Sequence, residues 1–140
     1  MFKSFKQNFS FDNLVLYTAS GKDANSTVVK RSELELNFVV DHKAYLFGTH
    51  SEGEAYFLSA FLNSQYANMK IKDFQSRGSF GPRDIHKKIL EVGLPEFDAK
   101  DDGHLEISKI SKSSHEKVIK FMNKQDLPQN LPGNLLGRTR

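Results

Sequence analysis

The chain has 140 residues, of which 38% are apolar, with twelve Phe, no Trp, no Cys and a net charge of +3. That length can bury a core without metal or disulfide support, and the lack of Cys excludes a disulfide scaffold, a Cys-based zinc finger and a thiol enzyme. No apolar run approaches the ~18 residues of a membrane span, and residues 1–10, MFKSFKQNFS, lack the apolar stretch of a signal peptide. The expectation is a cytoplasmic protein without membrane association.

NLVLYTA at 13–19 reads as a strand, being rich in bulky apolar side chains. SGKDANS at 20–26 is a turn-rich loop, and TVV at 27–29 opens a second strand. LELNFVV at 34–40 alternates, with Leu34, Leu36 and Phe38 on one face, and predicts a third strand. KAYLFG at 43–48 predicts a fourth. The period then changes. Ser51 and Glu54 form an S-x-x-E capping box ahead of Ala55, Leu58 and Leu62, so 52–63 is an amphipathic helix. Phe57, Leu58, Phe61 and Leu62 are its expected core contribution, and Asn63-Ser64 its stop. A short helix over 65–73 follows, with Met69 and Phe74 as apolar anchors.

FQSRGSFGPR at 74–83 breaks every period and reads as a turn-rich loop. DIHKKILEV at 84–92 returns to helical spacing, LPEF at 94–97 is extended, and 98–103 is a polar turn. Leu105, Ile107 and Ile110 start a helical pattern, and Ser113 with Glu116 resembles another capping box, so 104–123 is one helix or two short ones. Pro128, Pro132, Gly133 and Gly137 mark a loosely ordered tail at 126–140, leaving 1–125 as one domain. Strands come first and helices last, which argues α+β.

The charge is uneven. Residues 65–90 hold six basic and two acidic side chains, residues 91–106 one basic and six acidic, and residues 107–140 seven basic and two acidic. Two basic segments flank an acidic one, a footprint suited to phosphates if the fold gathers them on one side. Dispersed lysines on a solvated surface would produce the same count.

Several chemistries are missing. Gly21-Lys22 is not a phosphate loop, because Leu16 stands where its first Gly belongs and Asp23 follows the Lys. No G-x-G-x-x-G or G-x-S-x-G occurs. The five His show no H-x-x-x-H or H-E-x-x-H spacing, and the D-x-H at Asp84 to His86 lies among Arg83, Lys87 and Lys88. Glu96, Asp98 and Lys100 resemble the acid-acid-Lys set of a nuclease only loosely, a short pattern that an exposed acidic turn produces by chance in most charged chains.

Residues 63–88 carry the most information. Lys70, Lys72, Arg77, Arg83, Lys87 and Lys88 interleave with Gln75, Ser76, Ser79 and Phe80, and Arg77 and Arg83 bracket a turn holding Gly78 and Gly81. Lys and Arg neutralise phosphates, Arg can form two hydrogen bonds with guanine, and Gly lets the backbone approach closely.

The run DHKAYLFGT (41–49), EAYFLSAFLNS (54–64), FQSRGSFGPRDIHKKILEV (74–92), LPEFD (94–98) and HLEIS (104–108) resembles the TaqI-like specificity domain. This is the C-terminal target-recognition domain of N6-adenine DNA methyltransferases and fused restriction-modification enzymes. The similarity extends over about residues 14–123, with YTASGK at 17–22 included, and its order parallels the recognition domains of type I specificity subunits. It implies a β-rich, double-β-helix-like N-terminal part followed by a C-terminal helical hairpin. It also implies selective binding of double-stranded DNA beside a catalytic domain that flips and methylates adenine.

The chain departs from that family in having no N-P-P-Y or D-P-P-Y tetrapeptide and no F-x-G-x-G loop. It is therefore expected to be no enzyme, to bind neither S-adenosylmethionine nor a metal, and to be a detached domain, a split-gene subunit or a truncated remnant. The expected DNA contacts are Lys70, Lys72, Gln75, Ser76, Arg77, Gly78, Arg83, Lys87 and Lys88, with a separate methyltransferase or nuclease subunit as a further partner. Two other readings stand beside it. One is a protein-interaction module docking a catalytic subunit through 104–123, with Leu105, Ile110, Val118 and Met122 partly exposed. The other is a small metal-dependent nuclease using Glu96, Asp98 and Lys100.

Overall fold

Asn13–Thr18 (β1) becomes the centre of a three-stranded antiparallel sheet, in a computed structural model that describes residues 10–18, 25–35, 44–72, 77–78, 81–82 and 93–124. Its neighbours are Ser26–Lys30 (β2) and Ala44–Thr49 (β3), in the order β2-β1-β3. Val15 stands opposite Val28 on one side and Phe47 on the other, and Tyr17 stands opposite Ser26 and Tyr45. The Tyr17 and Tyr45 rings stack with centroids 4.9 Å apart, a cross-strand aromatic pair that fixes the register.

The predicted strand at 34–40 is not found where it is described. Arg31–Glu33 form one 3-10 turn, Leu34 caps it, and Glu35 lies in a bend. Leu34 N–H bonds to the Arg31 carbonyl, so the alternation at its start yields to a local turn; residues 36–40 lie outside the described residues.

Glu52–Leu62 (α1) begins where predicted. Ser51 Oγ accepts the Glu54 N–H at 3.2 Å. The reciprocal half of the box passes through a third residue: Ser51 N–H donates to Thr49 Oγ1 at 3.0 Å, and that hydroxyl donates to the Glu54 carboxylate. α1 lies on the Val15 and Tyr17 face of the sheet, and Ala55, Leu58 and Leu62 join them and Ile71 in one core cluster. Phe57 is buried as expected, whereas Phe61 is only partly buried and leans on Tyr66.

Asn63 ends α1 and clasps β2. Its Oδ1 accepts the Ser26 N–H at 2.7 Å, and its Nδ2 donates to the Ser26 carbonyl at 2.9 Å. Ser64 Oγ then accepts the Ala67 N–H and starts Gln65–Lys72 (α2). Ala67 and Ile71 anchor this helix; Met69, the expected anchor, is 58% exposed. It sits a quarter-turn or more from both buried positions and so faces solvent.

Gly93, with φ of +70°, turns the chain into an extended segment in which Leu94 reaches the core. Phe97 packs on Phe57 with centroids 5.5 Å apart, close beside α1, where a Cβ at Gly53 would lie 3.0 Å from Phe97 Cζ. Asp98 Oδ1 accepts the Lys100 N–H and Asp101 Oδ1 accepts the His104 N–H, at 2.8 and 3.0 Å. Asp101 is thus the N-cap of Asp102–Lys124 (α3), and the hydrogen bond from His104 holds its carboxyl below the usual range.

α3 is one continuous helix that starts two residues earlier than expected. Ser113 and Glu116, read as a capping box, lie in its interior, and Ser114 returns its hydroxyl to the Ile110 carbonyl at 2.9 Å. Its contact with α1 is unusually polar. Ser108, Ser111, Lys112 and His115 face Gly53, Glu52, Tyr56 and Ser59. Ile107 and Ile110, which continue the predicted helical pattern, are exposed, and Leu105 is half-buried. No helix among the described residues is long and apolar enough to cross a membrane.

Candidate nucleic-acid interface

The core contacts of α2 decide which of its side chains remain outside. With Ala67 and Ile71 turned inward, Gln65, Tyr66, Met69, Lys70 and Lys72 are exposed. Tyr66 and Lys70 are one turn apart, and Lys70 Nζ stands 5.7 Å from the Tyr66 ring centroid. The cation is held over an aromatic face. Tyr66 carries no charge and so stands outside the basic pattern of the sequence; its place one turn before Lys70 and next to the inward Ala67 is what marks it.

α2 leads within four residues to Arg77–Gly78 (β4), which pairs antiparallel with Gly81–Pro82 (β5). Arg77 stands opposite Pro82 and Gly78 opposite Gly81, so two residues separate the paired strands. The region expected to be a turn-rich loop contains a chain reversal that brings Arg77 back beside the residue preceding Arg83. Of the expected DNA contacts, Lys70, Lys72, Arg77 and Gly78 fall on described backbone; Gln75, Ser76, Arg83, Lys87 and Lys88 lie outside the described residues, as do 84–92 and the tail.

The second basic feature is structural. Glu52 receives Lys30 from β2 and Lys112 from α3, the latter with Nζ 3.1 Å from Oε1 and 3.2 Å from Oε2. These two lysines hold the Glu52 carboxyl below its ordinary range, and Glu52 raises Lys30. Their charges are spent on tying three elements together.

Glu96, Asp98 and Lys100 are all exposed, and the Asp98 carboxylate is occupied in the turn that begins α3. Among the described residues no group of three or more His, Asp or Glu side chains is placed to hold a metal ion. Asp12 and His50 form an exposed pair with 2.8 Å between Oδ2 and Nδ1. On α3, Ile110, Val118 and Met122 are exposed and Leu105 is half-buried, so none of the four is fully buried. Comparison of the chain with known protein families, with curated proteins and with solved structures finds no match.

Proposed function

We propose that the chain is a non-catalytic target-recognition module for double-stranded DNA, belonging to a restriction-modification or adenine-methylation system and acting in the cytoplasm. The observation that carries this reading is the exposed Tyr66 and Lys70 pair on α2, with Lys72 exposed on the other flank of the helix and four residues separating α2 from the reversal that begins at Arg77. Lysines there would hold phosphates and set the register, while the reversal would carry Arg77 and Arg83 toward a groove. The sequence resemblance supports the same reading and supplies its finer fold type, a double-β-helix-like part followed by a helical hairpin.

Fluorescence anisotropy on random duplexes, titrated across salt, tests it. About five phosphate contacts give a log K against log salt slope near −4 to −5. Combined Lys70→Ala, Lys72→Ala and Arg77→Ala should flatten that slope by about two to three. Undetectable binding at low salt would overturn the reading. A second reading, a module that docks a separate methyltransferase or nuclease subunit, is favoured by the exposed apolar side chains of α3; co-purification of such a subunit with the chain tests it.

A further inference from the structure

α3 carries six exposed large apolar side chains, Ile107, Ile110, Val118, Ile119, Phe121 and Met122. Every residue from Glu116 to Asn123 is exposed, so the last two turns extend past the contact with α1. Such a patch amounts to several hundred Å² of apolar surface, at the upper end of what a monomer leaves in water. Four of the six, together with Ser114, form a single stripe: at 100° per residue, positions 107, 110, 114, 118 and 121 fall within about a quarter of the helix circumference.

The spacing of that stripe is 3-4-4-3, which reads the same in both directions from Ser114. We propose that two copies of this chain pair through α3, antiparallel, about a two-fold axis passing at Ser114. The symmetry places Ile107 opposite Phe121 of the second copy, Ile110 opposite Val118, and Ser114 opposite itself, with contact along about 21 Å of helix. The small side chain at the axis lets the helices approach closely. Its hydroxyl is already bonded to the Ile110 carbonyl of its own helix, so burying it leaves no unpaired donor.

Charge selects the direction. Glu106 and Lys117 flank the stripe on the same side, toward opposite ends. A parallel two-fold pair would set this flank against the opposite flank of the second helix, whereas the antiparallel pair sets it against its own reversed copy, so that Glu106 of one helix and Lys117 of the other lie on the same side of the seam, about five residues apart along it. The buried surface is near or below the roughly 800 Å² per partner of a standard interface, so the association is a concentration-dependent equilibrium.

Sedimentation velocity of the full chain over a wide concentration range reads this directly. The expected result is a shift from 15.9 kDa toward twice that mass, abolished by Ile110→Lys and, independently, by Val118→Lys. Circular dichroism should show unchanged helix content in both variants, because both side chains are exposed. The chain contains no Cys, so Ser114→Cys places its only thiol on the axis and should oxidise readily to a covalent dimer, while Glu116→Cys, on the far side of the helix, should not. A monomer at every concentration, a dimer indifferent to both Lys variants, or equal cross-linking of the two Cys variants would overturn the proposal. None of these readouts involves DNA, so they fail or succeed separately from the DNA-recognition reading.

Discussion

Ser59 of α1 and His115 of α3 face each other with 3.5 Å between Oγ and Nε2, and Ser59 is fully buried. His115 donates its Nδ1–H to the Ser111 carbonyl at 2.8 Å, which orients the ring toward Ser59. Ser59 Oγ also accepts from Ser26 Oγ at 3.2 Å, so one hydroxyl joins β2, α1 and α3. Ser59→Ala removes the shared partner of two half-buried groups. The expected loss is about 1–3 kcal/mol of unfolding free energy, measured by urea denaturation; no loss would show that the three-way contact contributes nothing net.

The Asn63 clasp on Ser26 closes a loop of 37 residues with both backbone groups of one residue. Asn63→Ala should cost about 1–2 kcal/mol. Asn63→Asp retains the acceptor for Ser26 N–H but sets a carboxylate oxygen against the Ser26 carbonyl, so it should not restore stability. Equal stability of Asn63→Asp and the parent in thermal melts would contradict this assignment.

Tyr17 is buried with a hydroxyl that has no hydrogen-bond partner among the described residues. Burial, with the neighbouring Tyr45 adding to it, pushes its ionisation up to about 12. A raised value in the folded state means stability that is complete below the ordinary 10 and is lost as pH rises toward 12. Tyr17→Phe removes the unpaired hydroxyl while keeping the ring. It should leave stability unchanged or raise it by about 1 kcal/mol at neutral pH and flatten the alkaline decline between pH 10 and 12.

Glu52 works at the other end of the pH scale. Lys30 and Lys112 lower its ionisation, so its contribution is present above the ordinary 4.5 and is lost as pH falls through the lowered value. Glu52→Gln should therefore have a lower melting temperature at pH 7 than the parent, and the gap should narrow below pH 4.5. Because the Glu52 side chain is 41% exposed, high salt should reduce the gap as well.

Local signals located β1, β2, β3, α1 and α2, because each is a short stretch whose own side chains pick the conformation. Ser51 with Glu54 and Asn63-Ser64 marked the ends of α1 correctly, since capping is decided within four residues. The errors arose where a neighbour decides. Met69 and Ile71 look equally apolar, but the direction of the core selects Ile71. The alternation at 34–40 competes with a 3-10 turn at its start. Ser113 and Glu116 satisfy a capping pattern, but a helix already running from Asp101 has no free N–H groups there to cap. The apolar pattern of α3 was legible; that its polar side packs on α1 was not, because Ser108, Ser111 and His115 find partners only when α1 and β2 are assembled. In the candidate interface, the basic residues were legible by type, whereas Tyr66 emerged from the inward turn of Ala67.

The polar seam under α3 also bears on how the protein opens. Its serine, lysine and histidine contacts depend on the orientation of a few hydrogen bonds, beside the Tyr56 and Phe57 rings that meet His115 and His104. Helix α3 is therefore expected to open before the sheet, in which β1 is bonded to strands on both sides. In native-state hydrogen exchange, amides of α3 should exchange through sub-global opening, ahead of those of Val15 and Leu16, whose exchange awaits the whole domain.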